Sequence, residues 1–155
     1  RNAKNEYGCI YNADFSFDPK DLKKFVQLSK VNDFVFATRY QKDSGSDDDD
    51  LITLIGNKVF SFISKNFLRI NLSDILYTYV LCDVKKFNSL NLKSNDFRLC
   101  IELPFEISQS KYTYTEFSSY ERARYGGKKK VNVIKDGFII LTEVVYSIIK
   151  KYFLH

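Results

Sequence analysis

The chain has 155 residues, a mass of 18.2 kDa and a formal net charge of +5, which fits one domain of ordinary size or a large piece of one. Hydrophobic residues make up 45% and charged residues 28%, with two Pro and six Gly, so a disordered chain, a collagen-like repeat and a small disulfide-stapled scaffold are excluded. The basic excess favours anionic partners such as phosphates, nucleic acid or an acidic membrane surface, without choosing among them.

Histidine and cysteine usage restricts the chemistry. The single histidine, His155, is the last residue, so a catalytic triad or a histidine-built metal site is close to excluded and any metal must be held by oxygen. Cys9, Cys82 and Cys100 are widely spaced without a CxxC pair, which predicts a reducing compartment and a cytoplasmic protein. The chain begins with Arg1 and contains no Met, so we expect a fragment or a processed chain.

The first third of the chain has the pattern of a strand, a helix and a second strand. Short apolar runs at residues 7–12 and 34–37 predict two buried strands. Between them, Asp18 followed by Pro19 is typical of a helix start, which predicts a helix over about residues 19–29. Short links between the three elements favour a βαβ unit and hence a parallel sheet covered by helices. The polar residues 41–50, which end in four Asp, predict a mobile, solvated acidic loop.

The remaining elements continue this mixed order. Apolar residues at helical spacing predict helices over about 51–66 and 133–154, and strand-like composition predicts strands at 75–82 and 112–120. Residues 97–107 permit a helix, although Pro104 interrupts it. The sequence therefore predicts one mixed α/β domain over residues 1–155, in which no apolar run reaches the roughly 18 residues that span a bilayer.

Asp14 is the first candidate for a functional residue. It follows the first predicted strand and precedes the capped helix, a position where open α/β sheets bind ligands. With a neighbouring carbonyl or carboxamide oxygen, its carboxylate could hold a divalent metal that neutralises a diphosphate. Aspartates are also common in turns after strands without any such role.

Residues 11–22, around Asn12 and Asp14, resemble the Asp-x-Asp segment of the family 2 glycosyltransferases, in the branch of the dolichyl-phosphate mannose synthases and polyprenyl-phosphate sugar transferases. Further segments resemble the same family in the same order. They are Phe36–Tyr40 with Arg39, Thr53–Asn57, Leu72–Ile75 with Asp74, Phe97–Leu103 with Glu102, Tyr120–Arg122 and Gly127–Lys129. Their order and spacing over nearly the whole chain carry the resemblance.

The resemblance implies a GT-A-like α/β fold with a mixed sheet flanked by helices. It implies transfer of a sugar from a nucleotide-sugar donor to an acceptor, foremost a polyprenyl or dolichyl phosphate and otherwise another glycan acceptor. In this family the Asp-x-Asp segment holds Mg²⁺ or Mn²⁺ on the donor diphosphate, and Asp14 with Asn12 inherits that role. Positive charge there stabilises the departing nucleoside diphosphate. Asp74 is expected near the reaction centre as a base or an orienting group.

Cationic side chains are expected to hold the phosphates. Because a lipid-phosphate acceptor is already an anion, it needs no strong general base but does need cationic partners. The candidates are Arg39, Arg122, Lys128 and Lys129. An arginine fork suits phosphate oxygens bidentately, whereas a lysine acts as a point charge.

Two departures from the family pattern affect donor binding. The first Asp of the motif is Asn12, which leaves one charged ligand and predicts weaker metal affinity. The family's opening strand and first acidic motif, which hold the nucleoside, lie upstream of the Asp-x-Asp segment, and residues 1–6 are too few to supply them. We therefore expect donor binding to be weak in this chain alone.

Other readings stay open at this stage. The basic loop at residues 122–130 carries five Lys and Arg and could make the chain a non-catalytic module that binds nucleic acid or another polyanion. The sequence has none of the common nucleic-acid-binding motifs, so we rank this reading second and expect no nucleic acid partner. Glu102 could be structural or catalytic. Lys150 and Lys151 on the terminal helix permit peripheral contact with the cytoplasmic face of a membrane.

Overall fold

The computed structural model describes residues 5–126 and 132–154. Strands and helices alternate along the chain, and Asp side chains cap several of the helices. The strands are β1 Tyr7–Ile10, β2 Phe34–Thr38, β3 Gly45–Ser46, β4 Val80–Asp83, β5 Tyr114–Ser118 and β6 Tyr120–Glu121. The helices are α1 Leu22–Leu28, α2 Leu51–Ile63, α3 Val84–Ser89, α4 Leu99–Gln109 and α5 Val133–Phe153.

The main sheet has the strand order β1-β4-β2-β5. Strand β4 is antiparallel to both of its neighbours, with Val80 opposite Ile10 on one side and Phe36 on the other. Strands β2 and β5 are parallel, and β3 and β6 form a separate two-stranded parallel sheet. The fold is therefore mixed α/β. The predicted parallel sheet is wrong in one respect, because antiparallel β4 lies between β1 and β2.

Helices cover both faces of the main sheet. One core contains Phe25 of α1 together with Val35, Ala37 and Leu81, which point to one face of the strands. The other core contains the alternate strand residues, such as Phe36, and residues of the helices on that side. Those helical residues include Phe60 of α2, Ile101 and Leu103 of α4, and Ile140 and Val144 of α5. Helix α1 thus lies on one face, and α2, α4 and α5 form a layer on the other.

The predicted helices match the structure well. The helix expected at 19–29 is a 3₁₀ turn, Pro19–Asp21, followed by α1, and the Asp18 side chain accepts from the Lys20 N–H at the start of that turn. Helix α2 begins after Asp50, whose side chain accepts from the Thr53 N–H at 2.7 Å. It continues as a π-helical turn, Ser64–Leu68, that ends where Arg69 adopts a left-handed φ of 60°.

The structure corrects the predicted elements at four points. Strand β1 is an edge strand with alternating exposed and half-buried residues and not a buried strand, because it pairs with β4 on one side only. The strand expected at 75–82 begins at Val80. Helix α3 was not predicted and begins where the Asp83 side chain accepts from the Lys86 N–H. Helix α4 continues through Pro104, which the pattern treated as an interruption.

The acidic segment at 41–50 is not a solvated loop. It contains β3, and its carboxylates bind side chains elsewhere in the fold. Asp47 accepts from the Tyr120 hydroxyl at 2.6 Å, Asp48 pairs with Arg124, and Asp49 pairs with Arg39. None of the helices in the described part of the chain is both long and apolar enough to cross a bilayer.

Candidate functional site at one edge of the main sheet

Four separate segments meet at one edge of the main sheet. Strands β1, β2 and β5 run in the same direction, so their carboxyl ends lie at this edge, and antiparallel β4 begins there. Asn12 follows β1, Arg39 follows β2, Glu121 follows β5, and Asp74 lies in the segment that leads into β4. The topology therefore collects three predicted site residues that are distant in sequence, together with Glu121, which the sequence analysis did not assign to the site.

A cleft of about 580 Å³ opens beside this edge. Asn12, Arg39 and Glu121 line it at the sheet edge. Its deeper part lies among the helices and is largely apolar. That part includes Gly56 and Phe60 of α2, Leu103 and Pro104 of α4, and Gly137 and Ile140 of α5. A ligand with a polar group and an apolar body fits this distribution of side chains.

Arg39 and Asp74 form a buried bidentate ion pair. The Nε and Nη2 atoms of Arg39 donate to the two oxygens of Asp74 at 2.7 and 3.0 Å, and the Arg39 backbone N–H donates to the same carboxylate at 3.2 Å. The side chain of Asp74 is fully buried and that of Arg39 is 7% exposed. The sequence placed both residues in the site, and the structure brings them into direct contact.

Arg39 also binds two further carboxylates. Its Nη1 donates to Glu121 Oε2 at 2.9 Å and to Asp49 Oδ1 at 3.3 Å, and its guanidinium lies over the Tyr77 ring at 4.6 Å. Burial acts to lower the pKa of Arg39, but Asp74 and Glu121 outweigh it and hold that pKa well above its usual value. Arg39 is therefore a permanent cation shared by three carboxylates.

Tyr40 extends this network to α2. Its hydroxyl donates to Asp49 Oδ2 at 2.6 Å and accepts from Asn57 Nδ2 at 2.8 Å. Burial and the hydrogen bond to Asp49 raise the pKa of Tyr40 despite the nearby Arg39. Asn57 lines the cleft, so this chain of contacts fixes the position of α2 relative to the Arg39 cluster.

Asp14 lies in a tight turn just beyond the cleft residue Asn12. Its Oδ1 accepts from the Ser16 N–H at 3.1 Å, and the intervening Phe15 has a left-handed φ of 62°. Its Oδ2 is 3.8 Å from Nη1 of Arg124. Non-glycine residues rarely adopt this conformation, and those that do concentrate at functional sites.

Arg124 links Asp14 to the acidic segment. Its Nε and Nη2 donate to the two oxygens of Asp48 at 3.1 and 2.8 Å. The hydrogen bonds to Asp48 raise the pKa of Arg124. Sequence reasoning did not assign Asp48 or Asp49 to the site. The available signal was the acidic run itself, which is opposite in charge to the basic loop.

The predicted phosphate ligand Arg122 lies away from the cleft. The Arg122 side chain is about half exposed, pairs with Asp18 and does not line the cleft, although its backbone N–H donates to the Ser16 carbonyl at 2.8 Å. Lys128 and Lys129, the other predicted phosphate ligands, lie outside the described residues.

Glu102 holds a loop that forms part of the cleft wall. It is 7% exposed, and its two oxygens accept from the backbone N–H groups of Lys93 and Ser94 at 2.7 and 2.8 Å. The next residues, Asn95–Phe97, line the cleft. The hydrogen-bond partners of this carboxylate in the structure are thus backbone groups of the loop.

The oxygen ligands at the cleft suit a hard cation in type. Asn12 lines the cleft and offers an amide oxygen, and Asp14 offers a carboxylate in the turn beyond without lining the cleft. No group of three or more His, Cys, Asp or Glu placed to hold a metal occurs among residues 5–126 and 132–154. Five carboxylates line the cleft, from Asp48, Asp49, Asp96, Glu121 and Asp136, against the two guanidinium groups of Arg39 and Arg124. Within residues 5–126 and 132–154, acidic side chains therefore outnumber basic ones in the cleft lining. No protein-family model matches the chain.

Proposed function

We propose that the chain is a glycosyltransferase with a GT-A-like fold that moves a sugar from a nucleotide-sugar donor to an acceptor, foremost a polyprenyl phosphate. The observation that carries the proposal is the meeting of Asn12, Arg39, Asp74 and Glu121 at one sheet edge beside a cleft. All four of these residues lie in the segments that resemble the family. A mixed sheet flanked by helices is also the architecture that the resemblance implies.

The charge of the cleft supports a divalent cation as cofactor. Among the described lining residues, five carboxylates outnumber two arginines, and this excess of negative charge would repel a diphosphate. Mg²⁺ or Mn²⁺ held by Asp14 and Asn12 would reverse this repulsion and stabilise the charge that develops on the leaving diphosphate. The Asp14 oxygen that faces Arg124 at 3.8 Å is beyond hydrogen-bond distance, so it remains available to a stronger cation.

Arg39 has a more indirect role in this proposal than direct binding of phosphate, which the family resemblance implied. Four of its five N–H groups donate to Asp74, Glu121 and Asp49. A guanidinium committed in this way positions carboxylates and has little capacity left for phosphate oxygens. We therefore propose that Arg39 holds Asp74 behind the cleft and Glu121 in the cleft lining, and that phosphate is held by the metal and by Arg124.

The apolar part of the cleft supports a lipid-linked acceptor. Phe60, Leu103 and Ile140 give the helical walls the character that an isoprenoid chain would need, and the polar end of the cleft would receive its phosphate. An acceptor phosphate is already a nucleophilic anion. Because such an acceptor needs no deprotonation, Asp74, which is buried and ion-paired, acts as an orienting group and not as a general base.

A ligand-induced shift in melting temperature tests the proposal. We expect Mn²⁺ together with UDP-glucose or GDP-mannose to raise the Tm by several degrees, and Asp14→Asn to remove the rise. Asp14→Asn keeps an acceptor for the Ser16 N–H and loses only the charge. Glu6→Gln is the matched control, because Glu6 is exposed and precedes β1 at the opposite end of the sheet. A shift of equal size in Asp14→Asn and wild type would refute the metal role.

The polyanion-binding alternative receives less support. Arg122 and Arg124 of the basic loop are paired with Asp18 and Asp48, which reduces the positive potential that these residues present to a nucleic acid backbone. We do not propose it further.

A further inference from the structure

Helix α2 exposes a stripe of large apolar side chains. They recur at helical spacing on the side that faces away from the core and continue into the π-helical turn. The exposed residues are Leu51, Ile52, Ile55, Val59, Phe62 and Phe67, of which Leu51 is 70% and Phe62 is 67% exposed. Single exposed apolar residues are ordinary, but a continuous stripe along a helix marks a surface that contacts something apolar.

Helix α5 exposes a second stripe of the same kind. Its members are Ile134, Phe138, Leu141, Val145, Ile149 and Phe153, with Ile134 87% and Phe153 77% exposed. They follow one another at intervals of three or four residues and therefore lie on one side of the helix. The opposite side carries Ile140 and Val144, which are buried in the core.

The two stripes belong to the same side of the molecule. Helices α2 and α5 both pack on the sheet face opposite α1, and both form walls of the cleft. Their far ends are joined, because Lys151 Nζ and the Tyr152 hydroxyl donate to the Phe67 carbonyl at 3.1 and 2.9 Å. The exposed stripes of α2 and α5 therefore belong to helices of one layer, on the sheet face opposite α1.

The charges on these two helices indicate an anionic partner. Lys58, Lys65 and Lys135 are exposed and lie three or four residues from members of the stripes. Helix α2 contains no acidic residue, and the two acidic residues of α5, Asp136 and Glu143, are each only 9% exposed. The two helices are therefore apolar and cationic on their exposed sides, and an exposed carboxylate occurs only before Leu51, at the capping residue Asp50, within the described part of these helices and their caps. This is the composition of helices that lie in the interface of an anionic bilayer.

We propose that the outward faces of α2 and α5 form a docking surface for an anionic phospholipid bilayer. The apolar stripes would enter the boundary between headgroups and acyl chains, and the lysines would extend along them to reach the lipid phosphates. Because α2 and α5 also wall the cleft, docking would bring its apolar interior next to the membrane. The docking surface itself does not depend on the proposed sugar transfer.

Vesicle co-sedimentation tests the surface directly. We expect the chain to bind vesicles of phosphatidylcholine mixed with phosphatidylglycerol, to bind phosphatidylcholine alone more weakly, and to lose affinity as salt is added. Phe62→Glu combined with Phe138→Glu places one charge in each stripe. We expect the affinity of this double variant for the anionic vesicles to fall by about tenfold or by a larger factor. Both residues are 67% exposed, so the fold should tolerate the change, and circular dichroism checks this.

The matched control places the same charges on the other face of the sheet. Val26 of α1 and the nearby Val31 are 56% and 76% exposed, so Val26→Glu combined with Val31→Glu should bind like wild type. Equal binding by the two double variants, or no binding of wild type to anionic vesicles, would overturn the proposal. So would a dimer detected by light scattering that Phe62→Glu with Phe138→Glu dissociates, because the surface would then belong to a second copy. Vesicle binding needs no nucleotide sugar, so a failed transfer assay leaves this test intact.

Discussion

Arg39 and Asp74 are 35 residues apart in sequence and share a buried bidentate ion pair, with N–O distances of 2.7 and 3.0 Å. The pair joins the end of β2 to the segment that enters β4. Glu121 and Asp49 bind the same guanidinium, so one cation holds three carboxylates that would otherwise repel each other. The geometry of the candidate site thus depends on Arg39.

Replacing Arg39 should strongly destabilise the fold. Arg39→Met keeps much of the side-chain volume but leaves Asp74, Glu121 and Asp49 without their shared cation. Breaking a buried ion pair by removing one partner costs about 3–5 kcal/mol of unfolding free energy, which urea denaturation would measure. Arg98→Gln is the control, because Arg98 pairs with Asp96 at the surface and should matter little. An Arg39→Met midpoint close to wild type would show that the carboxylates find other partners.

Removing the Glu102 charge should loosen the loop at the cleft wall. In Glu102→Gln one of the two acceptor oxygens for the Lys93 and Ser94 N–H groups becomes a donor. We expect a loss of about 1–3 kcal/mol of unfolding free energy, since the backbone N–H of Lys93 or Ser94 would lose its acceptor. Hydrogen exchange should accelerate over residues 93–97, with little change in α1, which serves as the internal control. Unchanged protection of the loop would contradict the assigned role.

Glu143 should make stability depend on pH. Burial, and then the neighbouring Glu102, raise the pKa of Glu143 above its ordinary value of 4.5, although Arg98 and Lys150 oppose the shift. Because the folded state holds this proton more tightly than the unfolded chain, ionisation of Glu143 lowers the free energy of unfolding. This loss is absent below pH 4.5 and grows as pH rises through the raised pKa of Glu143 in the folded state.

The substitution Glu143→Gln removes that cost. We expect its Tm to exceed that of wild type at pH 7 and the difference to shrink toward pH 4. The exposed Glu6→Gln should show no such pH-dependent gain. A Glu143→Gln protein that is less stable than wild type at pH 7 would show that the ionised carboxylate makes a favourable contact.

Arg124 should compete with a divalent cation. It pairs with Asp48 and faces Asp14, so Arg124→Gln would remove one positive charge from beside these two carboxylates. If the proposed metal role is correct, we expect Mn²⁺ to bind this variant several-fold more tightly, as measured by titration calorimetry, while a nucleoside diphosphate loses a positive contact. Arg98→Gln again provides the control, and equal Mn²⁺ affinity in both variants would argue against a site at Asp14.

Local signals in the sequence predicted the helices well. Asp18 with Pro19 and the apolar spacing of α2 and α5 act over a few residues, so they could be recognised without knowing the fold. Strand pairing could not be recognised in this way. Nothing near Val80 indicates that β4 pairs with both Ile10 and Phe36, because these partners lie some 70 and 44 residues away.

The candidate site shows the same division. Asp14, Arg39 and Asp74 were found because each stands in a recognisable segment. Asp48 and Asp49 were not found, since an acidic run reads as a solvated loop until Arg124 and Arg39 are known to lie opposite. Glu102 was recognised as unusual, but its backbone partners at Lys93 and Ser94 follow from a loop conformation that residue types alone do not define.

The parallel pairing of β2 with β5 has a consequence for how the molecule folds. The two strands are joined by contacts between residues 80 positions apart, such as Asp33 and Thr113, so a long loop must close before these hydrogen bonds form. Pairings over such distances slow folding. Glu121 reaches Arg39 only after that closure, and the complete ion cluster should therefore be among the last features to appear during refolding.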